Sequence, residues 1–287
     1  MKGIILAGGS GTRLKPITTI ISKQLLPIYD KPMIFYPLVT LMELAIRDIT
    51  IIVTPHDLER FKLLLGNGDN YGIKIEYLTQ DKPNGLAEAF IIAKKKIAGG
   101  KVTLILGDNI FYSNSINENI VHSFKSGVKI FSYIVNDPER YGVIKFNEYG
   151  EVEDIIEKPK IAPSNAAVTG LYCYDEDVIE LAESLQPSSR GELEITDLNN
   201  IYIKYKKIDV IPLDKASIWL DSGTFSSLQE SSNIISSLQK RNGELIGSPE
   251  RTALKKDWIS KSQLSKQLLL NKNSSYFKSL EKLLNYI

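Results

Sequence analysis

Histidine and cysteine are nearly absent: the 287 residues include two His and one Cys. A lone cysteine excludes a disulfide within the chain, and Cys173 reads as a small buried hydrophobe in a strand rather than a reactive thiol. Two histidines and one cysteine are too few for a structural zinc site. An excess of one charge is also missing. Lys and Arg total 35 against 34 Asp and Glu, a formal net charge of +1. This lacks the basic surplus of a nucleic-acid binder, so any recognition of phosphate must come from a few placed cations. Long apolar runs are absent as well. Met1 to Ala7 carries one positive charge and a short apolar stretch that Gly8 and Gly9 cut off, too short for a signal peptide. No later run approaches the length of a membrane span. The expectation is a cytoplasmic protein with neither nucleic acid nor membrane as a partner.

What is present is ordinary for a folded chain: 43% hydrophobic and 24% charged residues. The length suits one large α/β domain, or one domain with a smaller appendage. Short β-rich runs lie at 3–7, 49–53, 73–78, 102–106, 129–135, 143–146, 152–156, 168–174 and 207–212. Several are continuous apolar runs, as expected of strands covered on both faces. Helical patterns fall between and after them, at 33–45, 58–65, 86–96, 116–124, 178–185, 194–205 and 225–240. The alternation predicts an α/β fold: a Rossmann-like, mostly parallel central sheet with helices on both faces. From about residue 225 the strand signal stops. A catalytic domain over 1–230 and a helical C-terminal extension over 231–287, packed on the core, are expected.

The densest local signal is Gly8-Gly9-Ser10-Gly11-Thr12-Arg13-Leu14, at the end of the first strand, where open α/β sheets place their ligands. Closely spaced glycines let the backbone approach a phosphate and let successive N–H groups converge on it. Arg13 adds a permanently charged fork that suits phosphate oxygens. Two familiar phosphate motifs do not fit. A dinucleotide fingerprint starting at Gly9 needs a small residue where Leu14 stands, and neither Gly8 nor Gly11 is followed by the lysine of a P-loop.

The loop, followed by Ser22-Lys23-Gln24-Leu25-Leu26-Pro27-Ile28, resembles the signature of the sugar nucleotidyltransferase family. The stretch from Lys23 to Met33 resembles its glucose-1-phosphate thymidylyltransferase branch. The likeness continues through Leu106-Gly107-Asp108-Asn109, Asn136 to Val143, Glu157-Lys158-Pro159, Val168 to Tyr172, Arg190 to Asp197 and Trp219-Leu220-Asp221. It covers about residues 1–230, and the tail matches weakly. One departure is Ser222, where the family commonly has threonine; the hydroxyl is kept.

The resemblance implies transfer of a thymidylyl group from dTTP to glucose 1-phosphate, at the head of dTDP-rhamnose or deoxysugar synthesis. It also implies Mg²⁺ as cofactor, a homotetramer, and inhibition by the pathway's end product at a separate site. A sugar phosphate is already mostly dianionic at neutral pH, so it needs no general base. Charge neutralisation and in-line positioning are what the reaction requires, consistent with the scarcity of histidine. The resemblance names Arg13, Lys23, Asp108, Lys158 and Asp221 as catalytic residues. It places Gly8, Gly9, Gly11, Thr12, Gln24, Gln80, Gly85 and Leu86, with Arg13, Lys23 and Asp108, at the nucleotide. Asn109, Tyr141, Gly142, Glu157, Lys158 and Val168 fall at the sugar.

Each residue has a plainer reading. Asp108 and Asp221 lie where turns and helix caps commonly carry aspartate, yet a carboxylate at a strand end also suits Mg²⁺, which takes one or two carboxylates plus phosphate oxygens. Gln80 sits beside turn-like residues, but its amide matches the donor–acceptor edge of thymine. Glu157 and Lys158 are a surface ion pair on the bland reading. On the functional one they serve the sugar and its phosphate; extended backbone should point them to opposite faces, so that they are not each other's main partner, unless a kink at Pro159 lets both reach the site. A uridylyl- or cytidylyltransferase is one alternative. A non-catalytic sugar-nucleotide sensor is another, which the full set of cations and carboxylates disfavours.

Overall fold

The computed structural model describes residues 1–9 and 11–284. Ser10 and the last three residues of the expected extension lie outside the described residues. In chain order the first half forms β1 (Lys2–Ala7), β2 (Pro27–Ile28), β3 (Lys31–Pro32), α1 (Phe35–Glu43), β4 (Asp48–Val53), α2 (Leu58–Leu65) and β5 (Lys74–Thr79). Then come α3 (Glu88–Ile92), α4 (Lys94–Ile97), β6 (Val102–Leu106), β7 (Asn109–Tyr112), α5 (Glu118–Ser123) and β8 (Val128–Ile134). The second half forms β9 (Gly142–Phe146), β10 (Val152–Glu157), β11 (Ala166–Tyr174), α6 (Val178–Ser184), α7 (Ile195–Lys204), β12 (Ile208–Pro212) and β13 (Ile218–Asp221). Four helices close the chain: α8 (Phe225–Asn242), α9 (Pro249–Lys255), α10 (Lys261–Leu270) and α11 (Ser275–Leu284).

The strands expected from the sequence are the strands of a nine-stranded sheet, ordered β10-β9-β11-β6-β1-β4-β5, with β8 and β12 continuing from β11. Only β10 and β11 run against the rest, so the sheet is mostly parallel. Side chains alternate across it, as strand geometry requires. Ile5, Ala7, Ile51, Val53 and Ile105 face one apolar layer that α1, α2 and α5 cover. Ile4, Leu6, Ile52 and Leu104 face the other, covered by α3, α4, α6 and α7. Burial on both faces is why these strands read as unbroken apolar runs. Ala253, Leu264, Leu268, Tyr276 and Leu280 join the same layer as α1 and α2. Helix α8 begins at a capping box, in which Thr224 accepts from the Ser227 N–H at 3.2 Å and Ser227 Oγ accepts from the Thr224 N–H at 3.0 Å.

Two features differ from expectation. The helix expected over 86–96 starts at Glu88 and breaks at Ala93 (φ −84°, ψ 2°) into α3 and α4. The short strands β7 and β13 were not anticipated; they pair antiparallel as a separate ribbon, with Asp221 opposite Asn109. Among the described residues no helix is long and apolar enough to cross a membrane.

Candidate active site

From β1 the chain moves to β4 and β5 on one side, then returns to place β6 on the other side of β1. That reversal opens a crevice at the carboxyl ends of β1 and β6, the usual ligand position in an open α/β sheet. The glycine loop leaves β1 there, and Gly107-Asp108 leaves β6 beside it, with the Gly107 N–H donating to the Leu6 carbonyl at 2.9 Å. Gly11 takes a left-handed conformation (φ 58°) and starts the tight turn Thr12–Leu14, whose Leu14 is buried and anchors it. Thr18 Oγ1 ties the loop down by donating to the Gly11 carbonyl at 2.7 Å.

A cavity of about 310 Å³ lies under this loop, reached by Gly9, Gly11, Thr12, Arg13, Lys23 and Gln24 on one side. Gln80, Gly85, Leu86 and Asp108 also line it. Gly8 does not line it; a Cβ there would come 2.7 Å from Gln80 Oε1, so Gly8 makes room for Gln80. Gln80 is 4% exposed rather than a surface residue. Its Nε2 donates to Glu88 Oε2 at 2.6 Å and to the Gly85 carbonyl at 3.3 Å. Gly85 has φ 111°, and a Cβ would meet the Leu193 backbone at 2.3 Å, so only glycine fits. Gln24 is buried and accepts from Ser22 Oγ at 2.6 Å.

The ribbon of β7 and β13 brings the two carboxylates together, because Asp108 immediately precedes β7 and Asp221 ends β13. Lys23 makes an ion pair with Asp108. Burial pushes the Asp108 carboxyl up, but the Lys23 ammonium and the Asn109 amide outweigh it and hold it below the usual carboxylate value. Asp221 goes the other way: burial and the Asp108 charge raise it, against opposition from Lys23, Arg13 and Arg140. Arg140 Nη2 reaches Asp221 Oδ2 at 3.3 Å. The Arg13 guanidinium stands over Gly223, where a Cβ would come 2.8 Å from Nη2 and 3.0 Å from Asp221 Oδ1. Ser222 is turned away, its Oγ 2.8 Å from Ser231 Oγ, so the departure from threonine does not touch the carboxylates.

Among the described residues no group of three or more His, Cys, Asp or Glu is arranged to hold a metal. The donor set fits a hard divalent cation nonetheless. Two acceptor-only carboxylates, one disfavoured by the charge of the other, would be relieved by a cation that also takes phosphate oxygens.

A second cavity, of about 770 Å³, adjoins the first and shares Arg13, Asp108, Lys158 and Arg190 with it. Asn109, Tyr141, Gly142, Glu157, Val168 and Asp221 line it. Asn109 is held by three hydrogen bonds: Nδ2 donates to Asp108 Oδ1 at 3.1 Å, while Oδ1 accepts from Trp219 Nε1 at 2.6 Å and the Gly170 N–H at 3.1 Å. It therefore positions Asp108. Glu157 accepts from Thr196 Oγ1 at 2.6 Å.

The expectation that Glu157 and Lys158 point apart is wrong. Lys158 Nζ lies 3.1 Å from Glu157 Oε1. Lys158 adopts φ 44°, which breaks the extended alternation where β10 ends and swings both side chains into the cavity. A left-handed non-glycine residue is strained, and such strain gathers at functional sites. Residues that the sequence reading left unassigned also line this cavity: Arg140, Arg190, Thr196 and Trp219. Arg190 bonds Glu194 at 2.7 Å and lies 3.5 Å from Glu157. The signal for it was present, since an arginine followed by glycine in a charged loop invites the same question as Arg13. Cys173 is fully buried in β11, and burial pushes its thiol up to about 11, as suits an inert residue.

A family model described as nucleotidyl transferase matches residues 2–237, and the chain belongs to that family. Among curated proteins it is 48% identical to the glucose-1-phosphate thymidylyltransferase of Xanthomonas campestris pv. campestris, over 98% of this chain and 97% of the relative. It is equally identical to that of Mycobacterium tuberculosis, over 99% of both chains. Within the family it falls with the glucose-1-phosphate thymidylyltransferases, and the likeness runs through the tail, against the expectation of a weak match there. A solved structure of a Bacillus anthracis protein assigned to the same activity, in complex with sucrose, covers 82% of this chain and 94% of its own at 40% identity and TM-score 0.76. A UDP-glucose pyrophosphorylase complexed with UDP-glucose covers 82% of this chain and 98% of its own at 26% identity and TM-score 0.72.

Proposed function

We propose that the protein transfers a thymidylyl group from dTTP to α-D-glucose 1-phosphate, giving dTDP-glucose and pyrophosphate. The observation that carries this reading is the pair of adjoining cavities that share Arg13, Asp108, Lys158 and Arg190. One has a glycine loop and a buried amide for a nucleoside triphosphate. The other has the acceptor Glu157 and two cations for a phosphorylated sugar.

A sugar-phosphate oxygen attacks the α-phosphorus, the α–β phosphoanhydride bond breaks, and pyrophosphate leaves. Arg13, the loop N–H groups and Lys23 hold the triphosphate and stabilise the charge gathering on the leaving group. Gln80, the Gly85 backbone and Leu86 hold the base. Lys158, with Arg190 beside it, neutralises the sugar phosphate, while Glu157 and the backbones of Gly142 and Val168 orient the hexose. Mg²⁺ held by Asp108 and Asp221 would supply a Lewis acid and a template at the α-phosphate. No residue is needed as a base, because the nucleophile is already ionised.

We also read 1–230 as the catalytic domain and 231–287 as its helical extension, and the protein as a cytoplasmic homotetramer acting at the head of dTDP-rhamnose or deoxysugar synthesis. The test is pyrophosphate release with each nucleoside triphosphate against a panel of sugar 1-phosphates. Greatest kcat/KM for dTTP with glucose 1-phosphate is expected. Preference for UTP or CTP would assign a sister activity, and no release with any pair would leave a sensor.

A further inference from the structure

Each carboxylate of the proposed metal pair already has a cation from the protein beside it. Lys23 pairs with Asp108. Arg140 pairs with Asp221, its Nη2 lying 3.3 Å from Oδ2. A guanidinium is an awkward neighbour for a carboxylate that is to take a divalent cation, because like charges repel.

The surroundings hold Arg140 in that place. It ends the tight turn Pro138–Arg140, and its Nη1 donates to Asp137 Oδ2 at 2.6 Å. The guanidinium lies over the Tyr141 ring, 5.2 Å from the centroid. Tyr141 packs on Trp219, with ring centroids 5.1 Å apart, and Trp219 belongs to the same short strand, β13, as Asp221. The fork lets one nitrogen stay on Asp137 while the other serves a second partner. Because the Arg140 side chain is 38% exposed, that second partner can change without disturbing the core. Arg140 also lines the larger cavity, with Lys158 and Arg190.

We propose that Arg140 is a positioning residue that competes with the divalent cation for Asp221 and releases the carboxylate when a phosphate enters the larger cavity. This rests on the reading of Asp108 and Asp221 as a metal pair and of the cavity as a sugar 1-phosphate site. In the free protein the guanidinium neutralises Asp221 and weakens its hold on a cation. A dianionic phosphate arriving beside Lys158 and Arg190 is a stronger partner for Nη2, which can turn to it while Nη1 stays on Asp137. Asp221 is then left to the cation. Cation and sugar phosphate each bind more tightly in the presence of the other, beyond their direct attraction, and coupling of this kind is reciprocal.

The experiment uses Mn²⁺ as the probe cation, with the free ion followed by electron paramagnetic resonance and no nucleotide present. It compares wild type, Arg140→Met, Arg140→Lys, Asp221→Asn and the double variant. Arg140→Met should bind Mn²⁺ about three- to fivefold more tightly than wild type, the scale of one partly exposed ion pair. Arg140→Lys, which keeps the charge but not the fork, should fall between the two. In the Asp221→Asn background the effect of removing Arg140 should largely vanish, as a double-mutant cycle requires of partners in contact. Glucose 1-phosphate should tighten Mn²⁺ by a larger factor in wild type than in Arg140→Met. Mn²⁺ affinity unchanged or weakened in Arg140→Met would overturn the inference, and a lowered melting temperature alongside it would make the residue structural. An undiminished effect in the Asp221→Asn background would overturn it too, as would a gain from glucose 1-phosphate as large in Arg140→Met as in wild type. Failure of the underlying readings looks different: Asp108→Asn and Asp221→Asn would leave Mn²⁺ affinity unaltered, or wild type would turn over no sugar 1-phosphate.

Discussion

Replacing Lys23 by methionine removes the ammonium beside Asp108 while keeping most of the apolar stem. Both side chains are 13% exposed, so the pair is largely desolvated. What remains to Asp108 is the neutral Asn109 amide at 3.1 Å, a backbone hydrogen bond and the unfavourable charge of Asp221. Breaking a buried pair by removing one partner costs about 3–5 kcal/mol. Partial exposure places the expectation at the lower end, about 3 kcal/mol, or about 6 °C in Tm for a chain of this size. The sign of the pH dependence follows from Asp108, whose carboxyl Lys23 holds below the usual value. A depressed carboxylate contributes stability above its unfolded pKa of about 4 and loses it as pH falls through the folded value. In Lys23→Met the strongest opposition to burial is gone, only the Asn109 amide and a backbone hydrogen bond still favour the ionised form, and the Asp108 carboxyl moves up. The deficit should therefore be largest at neutral pH and close in acid, where Asp108 is protonated in both proteins. Urea unfolding of wild type and variant at several pH values measures it. Because Lys23 no longer competes for Asp108, added Mg²⁺ should raise the Tm of the variant more than that of wild type, although turnover is lost. A deficit that does not change with pH, or no deficit at neutral pH, would refute the reasoning.

Other outcomes follow from the same geometry. Asp221→Asn removes a carboxylate that burial and Asp108 disfavour, so at neutral pH its Tm should hold or rise while turnover falls about 10²-fold or more; comparable turnover loss is expected of Asp108→Asn, and near-normal rates in both would refute the metal pair. Arg13→Ala should cost about 3 kcal/mol of transition-state stabilisation, and Arg13→Lys should recover only part of it because lysine lacks the fork; full activity in the lysine variant would make the fork geometry irrelevant. Glu157→Gln should raise the KM for glucose 1-phosphate and relax discrimination among sugars with the dTTP KM unchanged, while Lys158→Ala should weaken every sugar 1-phosphate alike. Equal small losses of Tm with no kinetic change would make Glu157 and Lys158 a structural pair, worth about 0–1 kcal/mol.

Local order was legible in the sequence because its physics is local. Ile4-Ile5-Leu6-Ala7 and Val102 to Leu106 are buried on both faces, which leaves an apolar run that needs no partner to be recognised. The glycine loop, Arg13 and Lys23 could be read for phosphate chemistry because spacing along the chain is enough to converge N–H groups on an anion. The likeness to a family extended that reading to residues far apart in the chain. What only the tertiary structure decided depends on contacts between distant segments. Strands β7 and β13 are four residues each, and neither stands out alone; their pairing seats Asp221 opposite Asn109 and beside Asp108. That encounter raises the Asp221 carboxyl through burial and the Asp108 charge, while Lys23, from a third segment, holds Asp108 low. Lys158 is similar: lysine before proline reads as extended backbone, yet the surroundings hold it at φ 44° and turn it toward Glu157. Thr169 looks like any β-branched strand residue. It falls where β9 and β6 meet the same edge of β11 on either side of it, and a gap between strands belongs to the sheet rather than to any one segment of the chain.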